Sequence, residues 1–355
     1  MFFWFFMLLS IIIIWFTIPD ALGEKKKKLI FMALAWLILV LILGGRDNGG
    51  INGGDLYGYY RWYRRAMNLP LDHLLLYTGV EDGYLVLNKI LAIIVPWNQF
   101  IFYFQAAFCT GIMFWYIYRN SENVFLSVVV YICVGPWQFF LTGFRQAIAC
   151  CICFVALELI KKRKTSLNIT ALVLIALAST IHTTAWLFLI VFVIRCFKVG
   201  RNIVIFSILV TVLSIVFSDE IMAWGNDALG REYTAGLYSG NALGGIVPIM
   251  VYLVALIISY IVWYNDKSFT EDYSMEIKLM ILGLCLYTLR YNTTVFERIS
   301  HYFTPVISVI LPSAIMRLKD KREVKIVSAF CVLLCVGLFI YRAYTQFGVY
   351  HAYWE

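Results

Sequence analysis

Apolar runs of about membrane-spanning length, separated by short polar stretches, recur along almost the whole 355-residue chain. They occupy residues 2–18, 29–45, 99–118, 124–141, 145–160, 167–181, 182–196, 202–217, 244–264, 275–291, 298–316 and 325–344. In lipid, a chain crossing the bilayer can satisfy its backbone N–H and C=O groups internally only as a helix or a closed barrel, and runs of this length fit helices. The pattern therefore predicts an all-α polytopic membrane protein with about twelve transmembrane helices. The run from Tyr84 to Val95 is different. At twelve residues it is too short to span and falls in the range of re-entrant or interfacial segments. The opening MFFWFFMLLSIIIIWF has neither a basic n-region nor a small-residue cleavage site, so it reads as a first span and not a removable signal.

Charge orients this threading. Only 14% of residues are charged and 62% are hydrophobic, with a mean hydropathy of +0.81; soluble domains carry about 25% charge. The net charge of +8 is concentrated in Glu24 to Lys28 (EKKKK), Lys161 to Lys164 (KKRK), Arg195 to Arg201 and Arg317 to Lys325. The positive-inside rule assigns all four segments to the cytoplasm. They can share that side only if 84–95 enters and leaves on one face.

Both termini then face outward, with the loops 46–83, 96–98, 142–144, 218–243 and 292–297. The chain reads as a single integral domain over 1–355, with an external loop and interfacial helix at 46–83, a re-entrant segment at 84–95 and a second large external loop at 218–243. In this arrangement thirteen Lys and six Arg lie inside, against nine Arg and a lone Lys89 outside or at that boundary. Forked guanidinium groups suit phosphate and carboxylate, so the outer excess points to an external anion. No basic stripe lies outside the loops, and a nucleic-acid partner is not required.

The polar residues at the outer face form clusters. The first outer loop opens with six glycines around Arg46, Asp47 and Asp55, then continues through Tyr57 into a Tyr/Trp/Arg stretch with the composition of an interfacial helix. Arg145 and Gln146 begin a span at the outer boundary. Ser179 to Thr184 interrupt the apolar run between two inner basic segments without Gly or Pro, and His182 among them can bind phosphate or shuttle a proton. Arg290 to Tyr302 joins two spans, and a helix there puts Glu297 and His301 on one face with Arg298 alongside.

Several chemistries have no support. Walker A, zinc, GxSxG and DxD motifs are absent, so neither a nucleotide nor a metal cofactor is expected. Nine cysteines, mostly inside apolar runs and without paired CxxC spacing, read as packing. A membrane acyltransferase would call for an inner-side histidine, and none of the four histidines falls there.

Arg46-Asp47 followed by Asp55-x-Tyr57, the Arg145-Gln146-x-x-Ala149 helix start, Ser179-x-x-His182-x-x-Ala185 and Arg298-Ile-x-x-Tyr302 resemble, in order and outward placement, the EpsG family. These are Wzy-type bacterial polymerases of O-antigen, capsule or exopolysaccharide repeat units. The resemblance implies a GT-C-like helical fold in the bacterial cytoplasmic membrane, with the active site and both termini on the periplasmic or extracellular side. It implies an undecaprenyl-diphosphate-linked oligosaccharide donor and acceptor, contact with membrane lipid, and neither nucleotide nor metal. A chain-length regulator is a further partner consistent with it.

On this reading Arg145, Arg290 and Arg298 bind the leaving diphosphate. Arg46, Gln146, His301, Tyr302, Glu297 and Tyr57 help to form the substrate site. His182 is either a diphosphate ligand or the general base, with Asp55 or Asp47 the competing base. A lipid-linked glycan flippase is the alternative, although its ionisable groups should line a route between both faces.

Overall fold

The computed structural model describes residues 2–49, 55–134, 137–200, 242–289, 294–347 and 349–354, with a few isolated positions between 209 and 224. Seventeen described α-helices are numbered in chain order, and those that position the site are introduced below with their ranges. The long apolar runs form α1 (Phe2–Thr17), α2 (Glu24–Gly44), α6 (Phe100–Asn120), α9 (Phe144–Lys161), α10 (Thr165–Ile181), α12 (Ala242–Asn265), α14 (Ser274–Thr288) and α17 (Lys321–Arg342).

Hydrogen bonds between helix ends fix which ends lie together. Gln99 Nε2, at the start of α6, donates to the carbonyls of Gly44 and Arg46 at 2.7 and 2.8 Å, so α2 and α6 are antiparallel. Midway along this pair Trp36 Nε1 donates to Ala107 O at 3.1 Å. The tail after α17 joins the same end as Gly44: Asp47 N donates to His351 O and Tyr353 N to Gly45 O, at 2.8 and 2.9 Å. Phe3 stacks on Tyr350 there at 3.9 Å, bringing the start of α1 to this end as well.

The opposite end carries the lysine clusters and two ion networks. Lys161 Nζ donates to Asn120 Oδ1 (2.6 Å), Glu158 Oε1 (2.9 Å) and Glu276 Oε1 (2.5 Å), tying the ends of α6 and α9 to the start of α14. Arg317 reaches Glu122 and Asp272 at 2.5 and 2.6 Å. Glu24 to Lys28, Lys161 and Arg317 therefore share one end, as the charge pattern requires.

Between α2 and α6 the described residues stay at the Gly44 end. It forms α3 (Asp55–Asn68), α4 (Leu71–Leu74) and α5 (Asp82–Ile94). Lys89 Nζ donates to the carbonyls of Ala66 and Leu69 at 3.0 and 2.7 Å and locks α5 against the end of α3.

Several expected spans are broken or short. The 124–141 run is divided into α7 (Val124–Cys133) and α8 (Trp137–Phe140). The 182–196 run starts as a 3₁₀ helix, Thr183–Leu189, before α11 (Ile190–Ile194). At about 2.0 Å rise per residue a 3₁₀ stretch covers more distance than α-helix, and Arg195 Nη1 still reaches Asn168 Oδ1 (2.9 Å) at the lysine end. The 298–316 run is entered by α15 (Thr294–Ser300), turns, and resumes through a 3₁₀ turn at Thr304–Val306 into α16 (Ile307–Met316); Pro305, which has no N–H to donate, sits at that break. Among the described residues four helices are long and apolar enough to cross a membrane, Glu24–Gly44, Phe100–Asn120, Val247–Asn265 and Lys321–Thr345, with five shorter apolar helices beside them. Most of the 218–243 loop lies outside the described residues.

Candidate functional site

The site is built where three connections meet at the Gly44 end. Glu81 is the N-cap of α5, in extended conformation, but its carboxylate does not cap the helix. It reaches across to two other elements. Oε2 accepts from Arg145 Nη1 in the first turn of α9. Oε1 accepts from His182 Nδ1 at 3.1 Å, Thr183 N at 3.3 Å and Thr183 Oγ1 at 3.4 Å. His182 ends α10 and starts the following 3₁₀ helix, so its backbone is extended (φ −151°, ψ 112°) and fixed on both sides.

Burial of the Glu81 side chain alone would raise its carboxyl pKa. The His182 hydrogen bond and the Arg145 charge more than reverse this, holding it well below the usual carboxylate range. With Nδ1 donating to the carboxylate, Nε2 is the imidazole atom that accepts a proton.

A cleft of about 90 Å³ opens over this cluster, lined by Asp55, Tyr59, Arg145, Gln146, His182, Thr184 and Arg298 among others. Tyr59 from α3 stacks flat on Phe144 (4.6 Å, 3°) and lies against Arg145; burial pushes its hydroxyl pKa up. Gln146 Nε2 donates to Arg298 O at 2.6 Å and holds α15 to α9, while the Arg298 side chain stays exposed at the rim. Arg145 and Arg298 are the cations of the cleft, opposed by Glu81 at its base and by Asp55 at the exposed start of α3.

A second cavity, of about 420 Å³, lies beside it and shares Phe139 and Thr142 with the cleft as a common wall. Arg46, Asp47, Glu297, His301 and Arg342 line this larger space. Arg46 is buried: its Nη2 donates to Leu141 O, and its guanidinium lies 5.7 and 5.5 Å from the Phe102 and Phe144 rings. Burial lowers its pKa to about 9, which still leaves it cationic at neutral pH. His301 stacks on Phe139 at 4.3 Å, and Tyr287 OH donates to Glu297 Oε1 at 3.4 Å.

The sequence-derived candidates thus divide. Arg145, Gln146, His182, Arg298 and Asp55 come together in the cleft. Arg46, Asp47, Glu297 and His301 line the neighbouring cavity, which separates Asp47 from Asp55. Tyr302 is buried beneath, sharing a 3.1 Å hydrogen bond with Thr184 Oγ1. Tyr57 lines neither space; a helix turn carries it to the face where Arg61 lies over its ring at 5.8 Å. Arg290 lies outside the described residues.

Glu81 is the residue that sequence reasoning missed. In Gly79-Val80-Glu81-Asp82-Gly83 it looks like an ordinary acidic helix start, and its partners are 64 and 101 residues away. The glycines offered a signal. A Cβ on Gly83 would sit 2.6 Å from Thr180 Cβ, a close approach that brings the start of α5 against the end of α10 and within reach of His182.

A protein-family model described as the EpsG family matches residues 29–354, a range that holds every residue of both cavities apart from Trp4. The chain belongs to the EpsG family. EpsG proteins are Wzy-type polymerase-like membrane proteins of polysaccharide biosynthesis, and they are glycosyltransferase-like. No curated protein and no solved structure matches the chain.

Proposed function

We propose that this EpsG protein polymerises lipid-linked glycans, transferring the growing chain from undecaprenyl diphosphate to the non-reducing-end hydroxyl of a lipid-linked repeat unit. The observation that carries this reading is the Glu81-His182 pair set against Arg145 in the cleft. On this reading His182 is the base, held by Glu81, and Arg145 is the neighbouring group suited to a diphosphate.

In this mechanism His182 Nε2 takes the proton of the acceptor hydroxyl as its oxygen bonds to the anomeric carbon. The bond from that carbon to the diphosphate oxygen breaks, and the diphosphate leaves with the electron pair. Arg145 and Arg298 neutralise the charge that develops on it, with Arg290 of the same connection as a third expected cation. The proton on His182 then passes to the departing diphosphate or to solvent. Asp55 is the competing base, but it is exposed and lacks the hydrogen bonds that hold the His182 ring. Asp47 stands in the other cavity.

The positive-inside rule would put the lysine end in the cytoplasm and the cleft and both termini on the outer side of a bacterial cytoplasmic membrane. The helical scaffold is then of GT-C-like type, with lipid diphosphates entering at the outer boundary.

Purified protein supplied with lipid-linked repeat units tests the reading. His182→Ala and Arg145→Ala should each abolish long polymer; unchanged polymer length and yield from folded variants would refute it.

A further inference from the structure

The two cavities differ in size and in lining. Arg145, Arg298, His182 and Asp55 line the cleft, and the Glu81 carboxylate is bonded to Arg145 and His182 at its base. In the larger cavity Arg46 and Arg342 are balanced by Asp47 and Glu297. Arg298 stands exposed at the cleft rim, where a diphosphate can reach it, whereas Arg46 and Arg342 are buried and bonded to backbone carbonyls.

The larger cavity also presents aromatic faces. Tyr252, Tyr287, Tyr350 and Phe139 stand among its charged groups. Rings interspersed with paired donors and acceptors suit a polyhydroxylated, uncharged ligand, whose C–H faces stack and whose hydroxyls both donate and accept. Its volume lies in the range of small-ligand sites, roughly 300–1,000 Å³. Arg46 supplies a fixed polar anchor: it is 8% exposed, and its Nε has no hydrogen-bond partner. Arg342 is equally buried and rigid, with Nη1 donating to Cys133 O at 3.1 Å.

We propose that this cavity binds the non-reducing sugar end of the acceptor glycan, a proposal that rests on the polymerase reading above. The chemistry distinguishes donor from acceptor. The reacting sugar of the donor is bonded to its diphosphate and must lie at the mouth of the cleft beside it. The reacting sugar of the acceptor is the one farthest from its own diphosphate, so it needs an uncharged site next to the cleft. The shared wall of Phe139 and Thr142 is where the acceptor hydroxyl would pass towards His182.

Two probes, one soluble and one a lipid, separate the sites in full-length protein held in nanodiscs. One is the repeat-unit oligosaccharide released by mild acid from its lipid carrier, which has no diphosphate. The other is undecaprenyl diphosphate, which has no sugar. Tyr252→Ala and Asp47→Asn should each weaken oligosaccharide binding by about tenfold, the loss of one stacking or hydrogen-bond contact, and leave undecaprenyl diphosphate binding within about twofold. Arg145→Ala should do the reverse. Asp47 is half-buried on a loop, so its variant remains informative if Tyr252→Ala fails to fold.

The proposal is overturned if the wild-type protein does not bind the oligosaccharide, if the folded variants bind it as tightly as wild type, or if they lose both probes equally. Undecaprenyl diphosphate binding that ignores Arg145→Ala would sink the diphosphate assignment instead, and leave the sugar assignment standing on its own result.

Discussion

Glu81 Oε1 lies 3.1 Å from His182 Nδ1, although 101 residues separate them in the chain. The same carboxylate holds Arg145, so in the proposed mechanism one residue sets both the tautomer of the base and the direction of the cation that would face the leaving group. Glu81→Gln keeps the shape but can donate to His182 instead of accepting from it. We expect kcat to fall by about 10²- to 10⁴-fold, the range for general acid–base catalysis, with a much smaller change in KM for the lipid-linked substrate. Steady-state polymerisation at several acceptor concentrations measures the split, and equal losses in kcat and KM would argue for a purely structural Glu81.

The lowered Glu81 pKa also has a consequence for stability. An unfolded glutamate titrates near 4.3, and the native carboxyl titrates lower because the His182 hydrogen bond and Arg145 outweigh burial. Its contribution is therefore complete above about pH 4.3 and is lost as the pH falls below that value. Thermal unfolding in detergent at pH 7 and pH 4 should show a steeper acid loss for wild type than for Glu81→Gln.

Arg145 separates charge from geometry. Its guanidinium can contact Glu81 and a phosphate at once, which a lysine ammonium on a flexible stem cannot reproduce. Arg145→Ala should cost about 10²- to 10³-fold in turnover, as for loss of one charge-stabilising donor, and Arg145→Lys should recover only a minor part. Full activity of the lysine variant in a polymer-length gel assay would show that charge alone suffices.

At the other end the Glu276 side chain is completely buried, and Lys161 reaches it at 2.5 Å. Lys161→Met would leave an uncompensated buried carboxylate, at a cost of about 3–5 kcal/mol. The double variant Lys161→Met/Glu276→Leu should regain much of that stability in chemical unfolding. If the single variant matches wild type, the ion pair contributes nothing net.

Gly83→Ala tests the contact between α5 and α10. The new methyl would collide with Thr180 and displace Glu81 from His182. Activity should fall while undecaprenyl diphosphate still binds, and Thr180→Gly in the same chain should restore part of the rate.

The sequence carried the helical class, the shared end of the basic segments and most of the cleft, because apolar length, charge asymmetry and local polar interruptions are all short-range signals. Arg145, Gln146, His182 and Arg298 were visible as polar residues at span boundaries. Glu81 was not, since an acid at a helix start is ordinary and only tertiary contact gives it a role. The division into two cavities was equally hidden: Asp47 and Asp55 are neighbours in sequence, yet Phe139 of α8 and Thr142 of the turn after it stand between the spaces they line. Tyr57 was misplaced within the site because α3 turns it towards Arg61, whereas Tyr59, two positions later, faces the cleft.

The helix α9 is fixed at both ends, by Arg145 to Glu81 and by Lys161 to Glu276. Its 18 residues span about 27 Å at 1.5 Å per residue, a little less than a hydrocarbon core of about 30 Å. Because neither polar end can slide without losing its partner, α9 acts as a strut inside the protein that fixes the separation of the two ion pairs. We expect a helix bundle with so rigid a strut to resist stretching, and reconstitution in bilayers of graded acyl-chain length should show its highest turnover in the thinner ones.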